Sequence, residues 1–334
     1  MQCQNLNVPN VVIKMSYTLT NMPVSLLYFL IGLVLLLISS KILVNKSQKI
    51  AHKLHLSPLI VGITIVAVGT SLPELAVSVI SSIKGDYGLS IGNIVGSNIT
   101  NILLILSVAI LLGKLRIGTT KTPKTTGILV FVTLLYLLLH AFSVNHTIAG
   151  ILLISLGVIF TIIEYKWGVE GQNKEDFTLL SKFSKSKIVY KNIDLAYLAL
   201  SIVGIAFGGF IIVNSTEQLS LLLGYSTTIL GLGLTSLATS LPELLTTVFS
   251  QQDKNEKLTM GNILGSNVYN ILFIGGLSYL FSNGQYILDF EWVWFVASVI
   301  LLYALVVIMK GKYIPKFFGL LFLSIYLVYL ATLL

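Results

Sequence analysis

A proline followed by a glutamate occurs twice inside apolar sequence, and the residues around it repeat with it. Thr70, Ser71, Leu72, Pro73 and Glu74 return as Thr239, Ser240, Leu241, Pro242 and Glu243. Further along, Gly92, Asn93, Gly96, Ser97, Asn98 and Asn101 return as Gly261, Asn262, Gly265, Ser266, Asn267 and Asn270. Every pair lies 169 positions apart, so the two halves align here without a gap. A lone proline in a long apolar helix commonly marks only a kink. A Pro-Glu pair repeated at a fixed offset asks for more, because an ionisable group set where bilayer hydrocarbon belongs is a functional-site candidate by default.

The surroundings establish that solvent. Of 334 residues, 55% are hydrophobic and only 10% charged, with a mean hydropathy of +0.91. That is more apolar surface than a water-soluble chain of this length hides. The formal charge of +8 does not read as a nucleic-acid face, since the basic residues sit in short connections rather than beside aromatic stackers. Cys3 is the single cysteine, which excludes an intrachain disulfide and a cysteine-built metal site. No nucleophile-base arrangement or phosphate-binding loop is present, so the chain does not read as an enzyme.

Crossing roughly 30 Å of hydrocarbon takes about 20 apolar residues. Ten such runs are found, at 24–43, 59–83, 89–112, 126–140, 148–163, 195–213, 227–249, 260–281, 290–309 and 317–333, the fourth and fifth being short. The run after Lys14 exceeds a signal-peptide core and lacks a small-residue cleavage site, so it reads as a first spanning helix. Continuous apolar runs, rather than ten-residue alternating ones, argue against a β-barrel.

One alternate set of connections holds Lys46, Lys49 and Lys53, Lys114 to Lys124, the six lysines of 166–191, Lys254 and Lys257, and Lys310 to Lys316; the other holds only Lys14 and Lys84. The positive-inside rule makes the rich side cytoplasmic and places both termini outside, in a multi-pass protein of the cell membrane. Tyr286, Phe290, Trp292 and Trp294 then read as part of an outer aromatic belt. The connection after Glu74's helix, near Lys84, falls outside, whereas its equivalent at 251–257 falls inside. The expectation is an all-α integral membrane protein of ten helices in two inverted five-helix repeats: an extracytoplasmic segment 1–22, repeats at 23–163 and 195–334, and a lysine-rich cytoplasmic linker at 164–194. Inverted repeats place a substrate site near the midplane, where the halves meet.

Each proline lacks an amide hydrogen and clashes with the carbonyl one turn earlier, which frees backbone oxygen near Gly69 and Ala238. Such oxygen is costly inside a membrane unless something replaces the lost bond, and a cation can. Thr70 and Ser71 lie four and three residues before Glu74, on one helical face, as do Thr239 and Ser240 before Glu243. Ser97 precedes Asn101 by four, and Ser266 precedes Asn270 by four. Gly92 with Gly96, and Gly261 with Gly265, permit close helix approach. Asn45, Asn98 and Asn267 read as interhelical glue, and His52, His55, His140 and His146 as interfacial residues. The strong ligands of this set are all oxygen, which suits hard cations such as calcium and sodium. Two carboxylates neutralise one divalent ion, and buried without cations or protons they would not stay charged.

At these residues the chain resembles the sodium/calcium exchangers of the calcium/cation antiporter superfamily, in their prokaryotic form with two alpha-repeats, over nearly its whole length. The resemblance implies a secondary active antiporter that exchanges sodium for calcium, by sliding of the first and sixth helices against an eight-helix core, with no cofactor besides the transported ions. It implies that Glu74 and Glu243 are the central calcium ligands, aided by backbone oxygens of Thr70 and Thr239. Sodium would use Ser71, Ser97, Ser240 and Ser266 with the carbonyls of Ala67 and Ser236, and Asn101 and Asn270 would complete the site. Two departures stand out. Some members carry aspartate at the position of Asn270, a residue linked in potassium-dependent relatives to potassium use, and the second repeat begins with Ala238 rather than glycine. A proton/calcium antiporter is the nearest alternative, although relatives of that type usually place a glutamate shortly after the Gly-Asn pair, where Gly96 and Gly265 stand here. A passive channel is the third, and would want a continuous pore.

Overall fold

The computed structural model describes residues 8–53, 67–170, 192–252, 256–282 and 290–333. Within them the chain is helical, apart from two isolated β-bridges that pair Arg116 with Tyr313 and Ile117 with Lys310. Eight helices are long and apolar enough to cross a membrane, and a ninth span arises if the bent pair Thr227–Thr239 and Leu241–Gln252 is taken as one. The expected span at 59–83 begins among residues outside the described set.

The first helix, α1, runs from Val8 to Lys53. It begins well before the expected start at residue 24, inside the segment expected to precede the membrane, and its 46 residues extend about 69 Å at 1.5 Å per residue. Its main partner is Asn192–Leu223, α8, laid antiparallel. Small residues set the approach: a Cβ on Gly208 would lie 2.9 Å from the carbonyl oxygen of Gly32, the close packing that glycine permits between membrane helices.

Glu74 is carried by a broken helix, Ala67–Thr70 (α2) and Leu72–Lys84 (α3). Pro73 falls in the first turn of α3, where its missing N–H costs no intrahelical bond. Gly85, at φ 82°, closes α3 in the left-handed conformation that glycine adopts without strain. Asp86 then caps the next helix, Tyr87–Thr100 (α4), by accepting from the Leu89 amide at 2.9 Å. A π-helical turn, Asn101–Ile105, leads into Leu106–Leu112 (α5).

Two helices follow: Lys121–Ala141 (α6) and His146–Glu170 (α7). Both exceed the short runs seen in the sequence because polar residues complete their ends. Glu164 belongs to α7 rather than to a linker: Thr125 donates to it at 2.8 Å and Lys121 pairs with it at 2.9 Å.

The second half repeats the plan. Thr227–Leu230 (α9), a π-helical turn at Gly231–Thr235 and Ser236–Thr239 (α10) precede Leu241–Gln252 (α11), with a bend of 41° at the break. Glu256–Tyr269 (α12), a π-helical turn at Asn270–Ile274 and Gly275–Phe281 (α13) follow, then Glu291–Ile308 (α14) and Lys316–Leu333 (α15).

Contacts between connections show which ends lie together. The Arg116 amide donates to Glu256 at 2.9 Å and its side-chain Nε to the carbonyl of Gly311 at 3.1 Å, so the connections at 113–120 and 309–315 and the start of α12 share one end. At the other end Lys84 meets Glu217 at 2.5 Å, and Thr227 donates to Asp86 at 2.8 Å. The last turn of α3 and the last turn of α11, whose Gln251 a Cβ on Gly113 would meet at 2.6 Å, thus lie at opposite ends, as an inverted pair requires.

The spans at Tyr87–Leu112 and Thr259–Phe281 are 83% and 78% buried, whereas the others range from 22% to 44%. The helices that follow each glutamate are therefore central. Two apolar clusters form around them. The larger joins α4, α5, α6, α7 and α12 to α15; the smaller joins Phe29, Leu33 and Leu36 of α1 to Ile205, Ile212 and Val213 of α8 and to Val77. One expectation is corrected here. Trp292 is 3% exposed and packs on Tyr136 and His140 instead of standing in an outer belt, because α14 turns that face inward; Phe290 is exposed, and Tyr286 lies outside the described residues.

Candidate cation site

The two glutamates meet across the halves. The Ser71 hydroxyl donates to Glu243 Oε1 at 2.9 Å, and the Ser240 hydroxyl donates to Glu74 Oε1 at 3.0 Å. Each break in the helix presents its serine beside the carboxylate of the opposite repeat, so the 169-residue offset in sequence becomes a reciprocal pair of bonds in space. Both carboxylates are fully buried, and the second oxygen of each, Oε2, has no hydrogen-bond partner among the described residues.

The central helices close the site from the side. Asn101 donates to the Ser266 hydroxyl at 3.2 Å, joining the first π-helical turn to α12. The Asn101 and Asn270 side-chain oxygens and the Ser97 hydroxyl are buried and unpartnered among the described residues. A π-helical turn begins at each of these asparagines, which places the amide differently from a regular turn; such bulges are frequent at functional sites. Ser236 lies one turn before the break, where its carbonyl receives the Thr239 hydroxyl at 3.3 Å and the Ser240 amide at 3.0 Å. Thr70 and Thr239 are buried beside the breaks. The backbone of Ala67 begins α2; its side chain is outside the described residues.

Asn93 and Asn262 are the residues that sequence reasoning passed over. Asn93 donates to the Glu74 carbonyl at 3.3 Å and to Ser78 at 2.9 Å, and receives the Thr239 hydroxyl at 3.1 Å. Asn262 donates to the Glu243 carbonyl at 3.2 Å and to Thr247 at 3.3 Å. Ser78 and Thr247 are themselves 169 apart. The recurrence of the two asparagines 169 positions apart is the sequence signal that marks them. Asn98 and Asn267, expected to bridge helices, instead donate to the carbonyls of Ile94 and Ile263 in their own helices, at 2.8 and 2.6 Å.

The glycines act as expected in the first repeat. A Cβ on Gly92 would lie 2.5 Å from the Thr228 carbonyl oxygen, and one on Gly96 2.5 Å from that of Leu232. Leu232 belongs to the π-helical turn at Gly231–Thr235, and its carbonyl also receives Ser236 at 2.6 Å and Tyr329 at 3.0 Å. For Gly261 and Gly265 the equivalent neighbours, near 59–63, fall outside the described residues.

Buried carboxylate, amide and hydroxyl oxygens with unspent lone pairs, drawn from two inverted halves of an all-helical membrane protein, define a secondary transporter for a hard cation. A sequence profile described as sodium/calcium exchanger protein matches residues 24–166 and 193–334, and the chain belongs to that family. It is 31% identical to the sodium/calcium exchanger MaX1 of Methanosarcina acetivorans, with 93% of this chain and 98% of the relative covered. It is 29% identical to the membrane protein MJ0091 of Methanocaldococcus jannaschii over 92% of this chain and 97% of that one. The solved structure of the sodium-calcium exchanger NCX_Mj, soaked with sodium and calcium, superimposes with a TM-score of 0.63 at 26% identity, covering 93% of this chain and 99% of the other.

Proposed function

We propose that the chain exchanges sodium for calcium across the cell membrane by alternating access, and that Glu74 and Glu243 hold the calcium. The observation that carries this reading is the reciprocal Ser71–Glu243 and Ser240–Glu74 bonding, which leaves one oxygen of each buried carboxylate unspent. Two carboxylates balance one divalent ion, and the oxygens of Asn101, Asn270 and the backbone of Thr70 and Thr239 complete a flexible shell suited to calcium. Sodium ions take the flanking positions, at Ser71, Ser97, Ser240 and Ser266 with the carbonyls of Ala67 and Ser236. A site that is costly to leave charged and empty changes sides only when loaded, which couples the two fluxes.

The moving part is the α1–α8 pair. It packs along its own length and shares a smaller apolar cluster apart from the larger one, so its shift would re-form the contacts with Val77, Leu89, Leu230 and Ala238 while the larger cluster stays packed. Both termini lie outside, calcium leaves the cytoplasm as sodium enters, and the repeats at 23–163 and 195–334 are joined by a cytoplasmic segment. The test is radiolabelled calcium uptake into proteoliposomes preloaded with sodium, potassium, choline, or a proton gradient. Uptake with the sodium load alone supports the proposal. Uptake driven by protons would make the glutamates proton carriers, and equilibration without any gradient would indicate a channel.

A further inference from the structure

The carbonyl of Leu232 is passed over by its own helix. In a regular α-helix it would receive the amide of Ser236, four residues on. In the π-helical turn at Gly231–Thr235 that amide donates instead to the carbonyls of Gly231 and Gly233, on either side of Leu232. Two hydroxyls take its place: Ser236 donates to the Leu232 carbonyl at 2.6 Å, and Tyr329, from α15, donates at 3.0 Å. Inside a membrane a carbonyl without such partners is costly.

Tyr329 is held firmly for this role. It is fully buried, its ring packs edge-on against Trp294 at 5.8 Å, and Tyr326 lies beside it at 5.9 Å. Leu232 and Tyr329 both belong to the larger apolar cluster, whereas Leu230 and Ala238, from the same stretch of chain, belong to the smaller one with α1 and α8. The segment that leads to Thr239 and Ser240 therefore faces the α1–α8 pair on one side and is tied to α15 on the other.

The first half has no such tie at the equivalent residues. A shift of 169 positions carries Ser236 onto Ala67 and Tyr329 onto Phe160, and neither has a hydroxyl. Phe160 is buried and packs on the ring of Tyr269 at 5.6 Å. A device needed merely to break the helix would recur in both halves; this one distinguishes them.

We infer that Tyr329 is a positioning residue for sodium: by capping the Leu232 carbonyl it holds the Ser236 carbonyl, one turn further on, in place for the ion, and so makes the two flanking sodium positions unequal. The Ser236 carbonyl also receives the Thr239 hydroxyl and the Ser240 amide, so a displaced Leu232 turn displaces these groups together. Sodium at this position is held by neutral oxygens and depends on where they stand. Calcium draws on the two carboxylates and tolerates a more flexible shell, so it responds less. This inference rests on the sodium-for-calcium reading above.

The test is radiocalcium uptake into proteoliposomes, measured against increasing sodium preload at saturating calcium and against calcium at saturating sodium. Wild type, Tyr329→Phe, Ser236→Ala and the double variant are compared. Tyr329→Phe keeps the ring and removes the hydroxyl. Ser236→Ala keeps the backbone carbonyl and leaves α15 untouched, so it carries the test if Tyr329→Phe fails to fold. Each should raise the sodium concentration for half-maximal exchange by about two- to tenfold, the range of one neutral hydrogen bond, with that for calcium nearly unchanged. The double variant should exceed the product of the two, because only there is the shared oxygen left without either hydroxyl. An unchanged sodium requirement in a folded single variant, or equal rises for both ions, would overturn the assignment. Absence of sodium-driven uptake in the wild type would instead refute the sodium-for-calcium reading, and this inference with it.

Discussion

Ser71 donates to Glu243 at 2.9 Å across the interface of the two halves, and its counterpart Ser240 returns the bond to Glu74 at 3.0 Å. Hydrogen bonds to charged groups contribute about 1.5–3 kcal/mol. Ser71→Ala and Ser240→Ala should therefore each raise the calcium concentration for half-maximal exchange by roughly tenfold or more, and by similar amounts, since every 1.4 kcal/mol is about a factor of ten. Radiocalcium uptake measured against calcium concentration checks this, and a large effect in one variant with none in the other would break the symmetry of the account.

Asn93 braces the helix of Glu74 through its carbonyl and Ser78, and reaches Thr239 in the other half. Asn93→Ala removes all three bonds without touching a carboxylate. Weaker calcium affinity in a protein that still folds is the expected outcome, with Asn262→Ala behaving alike. Calorimetric titration of both variants provides the comparison.

A methyl group at residue 96 would lie 2.5 Å from the Leu232 carbonyl oxygen and 2.7 Å from the Ser236 hydroxyl. Backbone cannot yield as a side-chain tip can. Gly96→Ala should destabilise by about 1–3 kcal/mol, the usual cost of overpacking, and lower the midpoint of thermal unfolding in detergent.

The Lys84–Glu217 pair closes at 2.5 Å, yet both side chains are about a quarter to a third exposed, at 27% and 31%. Exposed pairs contribute about 0–1 kcal/mol. Lys84→Gln should shift the unfolding midpoint only slightly, and less at high salt. A loss as large as that of Gly96→Ala would mean that the pair is more buried in the membrane than its exposure implies.

Much of this was legible in sequence because the chain states its plan twice. Recurrence at one offset picked out both glutamates, their serines and Asn101 and Asn270, and the lysine asymmetry set the inversion that the contacts at the two ends reproduce. What escaped has physical reasons. The π-helical turns at Asn101 and Asn270 leave no composition signal, since one extra residue in a turn is decided by packing. Asn93 carries no charge and sits between Gly92 and Gly96, whose close packing alone accounts for a recurring segment. Trp292 follows the packing of α14 on α6 rather than the preference of tryptophan for interfaces.

The central claim is that Glu74 and Glu243 together hold the transported calcium. The most direct test is sodium-driven radiocalcium uptake in proteoliposomes containing Glu74→Gln or Glu243→Gln, with folding checked by elution as a single species and by thermal unfolding. Glutamine keeps the shape and removes the charge, so the account predicts folded protein with exchange abolished in either variant. Substantial sodium-driven uptake by a well-folded variant would contradict it.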